Sequence, residues 1–128
     1  MTRPRIHKKR ILIVDDEPAI CQFCQRVLAE EGFEVDTSAN GEAARSLVGK
    51  QEYALFLFDI KMPLMDGREL YRWLADAYPR SIEKVIFMTG SAIGQETESF
   101  LKNTGSPVLL KPFTSEELKQ QINLELKD

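Results

Sequence analysis

Short apolar runs alternate with amphipathic stretches along the whole chain. Residues 10–14, RILIV, form the first run, nearly all apolar and followed at once by acids, as a strand buried on both faces of a sheet should be. The period then changes. Ile20, Phe23, Cys24, Val27 and Leu28 recur at helical spacing, Pro18 suits a first helical turn, Asp16 and Glu17 favour its positive end, and Gly32 is placed to stop it. Residues 33–38 read as a second strand, and Asn40 as the N-cap of a helix running to about residue 50. Residues 53–59 make a third strand, the loop 60–67 is punctuated by Pro63 and Gly67, and a helix over 68–77 is halted by Pro79. A fourth strand over 82–88 precedes a weakly amphipathic helix over 95–103 that Gly105 closes. After a short fifth strand, 108–110, Ser115 opens a last helix that turns Leu118, Ile122 and Leu126 to the core. Five strands alternating with five helices predict an α/β domain built on a parallel sheet.

Composition narrows the class. A chain of 128 residues can bury one full core but not two, so a single domain is expected. No apolar run approaches the roughly 20 residues that span a bilayer, which predicts a soluble protein without membrane insertion. The net charge is −3, yet the first ten residues carry +5, so the rest holds −8. Residues 1–8 therefore read as a basic tail or linker and 9–128 as the folded domain. The tail lacks the apolar stretch of a secretory signal, and a cytoplasmic setting is the expectation. An acidic domain argues against direct nucleic-acid binding. Cys21 and Cys24 form a lone C-x-x-C without a second ligand pair, and the one histidine, His7, lies in the tail. Their helical spacing makes Cys24 a small core residue and places Cys21 nearer the rim, in preference to a redox or zinc pair.

Chemistry gathers at the strand ends. In an open parallel sheet, ligands bind at the carboxyl ends of the strands. Asp15 and Asp16 follow the first strand, Asp59 ends the third, Thr89 the fourth, and Lys111 follows the fifth. Singly each has an ordinary reading, as a helix-capping acid, a turn or a strand end; together they describe a cleft. Three carboxylates held close repel one another and ask for a cation, and all-oxygen ligands favour magnesium, or manganese in its place. Asp59 can attack phosphorus as a carboxylate nucleophile, while the Thr89 hydroxyl and Lys111 ammonium stabilise the charge on the transferred group.

The motifs that carry this chemistry are ILIVDDEP at 11–18, FDIKMPLMDG at 58–67, MTG at 88–90 and LKPF at 110–113. With them the chain resembles the response-regulator receiver domains of two-component signalling. The resemblance runs from about residue 9 to 126 and implies a flavodoxin-like, doubly wound five-stranded sheet of order 2-1-3-4-5. It implies Asp15 and Asp16 as the metal-binding acidic pair, Asp59 as phosphoacceptor, the carbonyl of Lys61 as a further metal ligand, and a cis bond before Pro112. It also implies the partners: a histidine kinase or histidine phosphotransfer protein as donor, and an output domain or protein downstream. It implies no dedicated enzyme, only a domain that catalyses its own phosphorylation and autodephosphorylation. One position departs from the pattern. Receivers commonly place an aromatic residue three before the site lysine, and this chain has Val108 there, so the phosphorylation-sensitive surface is expected at Gly90 to Asn103 instead.

Two competing readings are weighed. An aspartyl-phosphate phosphatase or phosphotransferase usually needs a second acid two residues after its nucleophile, and Lys61 stands there. A degenerate, purely protein-binding receiver conflicts with the complete set Asp16, Asp59, Thr89 and Lys111. The molecule is either a stand-alone receiver or one cut from a larger protein such as a hybrid kinase.

Overall fold

A computed structural model describes residues 9–90 and 94–126, so the basic segment 1–8 lies outside the described residues. The strands are β1 (Arg10–Val14), β2 (Glu34–Ser38), β3 (Leu55–Asp59), β4 (Val85–Thr89) and β5 (Val108–Leu110). The α-helices are α1 (Pro18–Glu30), α2 (Gly41–Val48), α3 (Gly67–Ala77), α4 (Gln95–Thr104) and α5 (Ser115–Leu126). All pairings are parallel and the strand order is β2-β1-β3-β4-β5, as expected.

Period-two alternation sorts the strand side chains onto two faces. Leu12, Val14, Phe56, Phe58, Val85 and Phe87 point to one side and join Ala44 and Val48 of α2, Leu70 and Leu74 of α3 and Leu101 of α4. Ile11, Ile13, Leu55, Leu57, Ile86 and Met88 point to the other and meet Cys24, Val27 and Leu28 of α1 with Leu118 and Ile122 of α5. The three central strands are thus buried on both faces, which is why β1 and β3 read as nearly continuous apolar runs.

Caps explain several helix ends. The Asn40 side chain accepts from the Ala43 N–H at 2.8 Å, as anticipated. Gly32, at φ 99°, ends α1: its N–H bonds the Ala29 carbonyl while that of Phe33 bonds Leu28, the paired pattern of a Schellman motif. Asp66 with Glu69, and Thr114 with Glu117, form reciprocal capping boxes that open α3 and α5.

The second and third strands start at Glu34 and Leu55, slightly inside the expected 33 and 53, and the fourth departs further. Residues Pro79–Lys84 form a 3-10 helix, so the fourth strand begins at Val85 and not at Ile82. Pro79 presets a helical φ and has no N–H to give, Ser81 bonds back to the Tyr78 carbonyl at 2.8 Å, and Ile82 packs against the core without joining the ladder.

Candidate functional site

The ladder continues one step beyond the strands and carries the site residues with it. The Asp15 N–H bonds the Ser38 carbonyl (3.0 Å), Ile60 bonds Met88 (3.0 Å), and Lys111 bonds Thr89 (2.8 Å). Asp15, the Asp59–Ile60 junction and Lys111 are therefore fixed by backbone at the same sheet edge. The loop after Asp59 folds back on itself: the Gly67 N–H bonds the Ile60 carbonyl at 3.0 Å, and a Cβ on Gly67 would stand 2.4 Å from the Asp59 carbonyl oxygen. Only glycine permits that approach. Within the loop Leu64 has φ 72° and is fully exposed, and the Met65 N–H reaches the Pro63 carbonyl at 2.8 Å across it.

Carboxylate oxygens of Asp15, Asp16 and Asp59 all lie within 4.8 Å of one another, the one such cluster among the described residues. Asp15 and Asp59 are buried and Asp16 is exposed. The Lys111 ammonium sits among them, 2.7 Å from Asp15 Oδ2, 3.3 Å from Asp59 Oδ1 and 3.0 Å from Glu17 Oε1. Asp15 Oδ2 accepts no hydrogen bond of good geometry despite the nearby ammonium, so that contact is ionic and leaves a buried oxygen with unused lone pairs.

The charges are unbalanced. Burial, together with the adjacent Asp15 charge, pushes the Asp59 carboxyl up to about 7 against the pull of Lys111. Burial works against the Lys111 ammonium too, but its close contacts with the Asp15 and Glu17 carboxylates and the Asp59 charge outweigh it and hold the amine protonated well above its ordinary range. A cluster of hard oxygen donors, one of them orphaned and another resisting ionisation, fits a divalent oxygen-seeking cation.

Thr89 is buried at the end of β4, one residue past Met88, the register partner of Asp59, and its hydroxyl donates to the Gly90 carbonyl at 3.3 Å. Lys61 lies two residues past Asp59 with its side chain in solvent, and the Lys111–Pro112 peptide is cis. Cys24 is wholly buried and Cys21 nearly so; burial pushes their thiols up to about 12 and about 11, so neither is poised as a thiolate. Cys21 instead donates its S–H to the Asp15 carbonyl at 3.3 Å.

Glu17 is the site residue that sequence reasoning missed. In the sequence it reads only as a charge favouring a helix end, and nothing in the chain's order shows that its carboxylate reaches a lysine 94 residues away.

Residues 11–123 match the family model described as the response regulator receiver domain. Among curated proteins, the transcription factor SKN7 of Saccharomyces cerevisiae is 32% identical over 92% of this chain, and the sensor protein GacS of Pseudomonas syringae 32% over 88%. The chain spans only 19% and 13% of those two proteins. Among solved structures, a CheY-like receiver domain from Methanospirillum hungatei is 33% identical with a TM-score of 0.80, covering 94% of this chain and 98% of its own. The chemotaxis protein CheY4 of Vibrio cholerae is 25% identical with a TM-score of 0.84, covering 94% and 100%.

Proposed function

Since the chain belongs to the response regulator receiver domains of two-component signalling, we propose that Asp59 is its phosphoacceptor and that residues 9–128 form the receiver unit. The observation that carries this reading is a buried carboxylate at the end of β3 with an ammonium 3.3 Å away and two further aspartates beside it. An Asp59 oxygen attacks the phosphorus of a phosphohistidine donor. The oxygen–phosphorus bond forms as the phosphorus–nitrogen bond breaks, and the electron pair leaves with the imidazole, which takes a proton from solvent. Lys111 and the Thr89 hydroxyl donate to the phosphoryl oxygens, where charge must be held through the transfer. Magnesium, or manganese, would be held by Asp15, Asp16, Asp59 and the Lys61 carbonyl, and would supply the positive charge that this cluster lacks.

The donor is a histidine kinase or histidine phosphotransfer protein, and the recipient of the signal is an output domain or separate protein, as the relatives' range from transcription factor to sensor protein suggests. The domain acts on no substrate but itself. No helix among the described residues is long and apolar enough to cross a membrane, in keeping with a cytoplasmic place of action. The net −8 outside the first ten residues weighs against direct nucleic-acid contact by the domain.

Incubation with acetyl phosphate and magnesium, followed by intact mass, tests the assignment. One phosphoryl group is expected on the parent protein and none on Asp59→Asn. Undiminished labelling of Asp59→Asn would overturn it.

A further inference from the structure

We propose that Glu17 is a positioning residue that occupies one N–H of Lys111 in the unphosphorylated protein and yields it to the incoming phosphoryl group, so that it sets how readily Asp59 is phosphorylated. This rests on Asp59 being the acceptor. An ammonium has three N–H donors, and Lys111 faces three carboxylates: Asp15 at 2.7 Å, Glu17 at 3.0 Å and Asp59 at 3.3 Å. Of the three, only the contact with Glu17 has hydrogen-bond geometry and so directs an N–H; the two aspartates hold the ammonium as ion pairs. That N–H can turn to a phosphoryl oxygen only once the Glu17 contact opens.

The three contacts are not equally easy to open. Asp15 is wholly buried, so a lost cation would leave its charge uncompensated away from water. Asp59 is the reacting group. The Glu17 side chain is 62% exposed, and its carboxylate can return to water at little cost.

The backbone of Glu17 stays fixed while its side chain moves. Its N–H is held by Asp15 Oδ1 at 2.9 Å, and its carbonyl accepts from Ile20 at 3.1 Å and Cys21 at 3.2 Å, as the N-cap of α1. The carboxylate is therefore delivered to Lys111 by a rigid support and released by side-chain rotation alone. A fourth negative charge beside Asp15, Asp16 and Asp59 also opposes the approach of an anionic donor, and that effect does not require contact with Lys111.

Two substitutions separate contact from charge. Glu17→Ala removes both, while Glu17→Asp keeps the charge on a side chain one methylene shorter. Phosphorylation of Asp59 by acetyl phosphate is followed by intact mass at a magnesium concentration shown to saturate each variant, with the melting temperature as a control. An exposed ion pair of ordinary strength converts to a rate increase of about two- to five-fold for both variants. A Glu17→Ala rate equal to the parent's would overturn the proposal while leaving Asp59 as acceptor. A fast Glu17→Ala with a parent-like Glu17→Asp would also overturn it, by showing that charge alone acts. Failure of the parent protein to take up phosphate at all would instead remove the premise, and is read from the parent and Asp59→Asn samples before the Glu17 variants are compared.

Discussion

Asp59 shows how much a single residue's chemistry depends on its neighbours. Its carboxyl is pushed up to about 7, from an ordinary value of 3.8, chiefly by burial and by Asp15. Between those two values the folded chain holds a proton that the unfolded chain has released. Lowering the pH through this window therefore stabilises the metal-free protein, and raising it past about 7 withdraws that contribution. Thermal melts in a chelator from pH 8 to pH 5 should show stability rising as pH falls, with a shallower rise in Asp59→Asn; identical slopes in the two proteins would contradict this origin. At the same scale the sequence was readable where position alone decided which residues meet. Asp15, Asp16, Asp59 and Lys111 follow strand ends, and strand ends share an edge. It was not readable where a side chain's reach or a backbone's closeness mattered. Gly67 was legible as loop punctuation, but its need to touch the Asp59 carbonyl is a packing fact.

Among the elements, α4 carries the consequence of Val108. Val108 is half-buried and packs against the cluster that contains Phe58 and Phe87. The aromatic contacts nearby run from the sheet into the helices: Phe87 meets Phe100 of α4 at 5.5 Å and Tyr71 of α3 at 5.5 Å, and those two rings meet edge-on at 5.6 Å. Phe87 lies two residues before Thr89 on β4, so movement at the strand end has a stiff aromatic route to α4 that bypasses β5. Hydrogen exchange with and without a beryllofluoride mimic should show protection changes in α4 and in α3 around Tyr71, with Val108–Leu110 quiet. Changes confined to β5 would rule the route out. The expected loop before α4 includes residues 91–93, which lie outside the described residues. Element types were legible because apolar periods of two and near four are imposed by burial on one or both faces. The late start of β4 was not, since Ile82 is apolar in either conformation and only the turn after Tyr78 decides which it adopts. The Asp66 and Thr114 capping boxes had a visible signal, an acid three residues on in each case.

At the level of the whole molecule, metal binding, charge and stability are coupled. A cation that binds the folded cluster and not the unfolded chain stabilises by about 2.7 kcal/mol when present at 100 times its dissociation constant. Magnesium should therefore raise the melting temperature and flatten the pH dependence described for Asp59. Asp16→Ala should gain less at the same concentration, and an equal gain in calorimetric melts would remove Asp16 from the metal site. The strand order has a consequence of another kind, in the timing of assembly. β1 lies inside the sheet between β2 and β3, so the earliest strand to be synthesised finds its second neighbour only after some forty further residues, Ile11 pairing with Leu55. Lys111 comes later still, after β5 has closed the far edge. A nascent chain can thus gather its carboxylates before it owns the cation that tempers them. The full charge arrangement at this sheet edge therefore waits on synthesis through Lys111, long after the aspartates that face it have emerged.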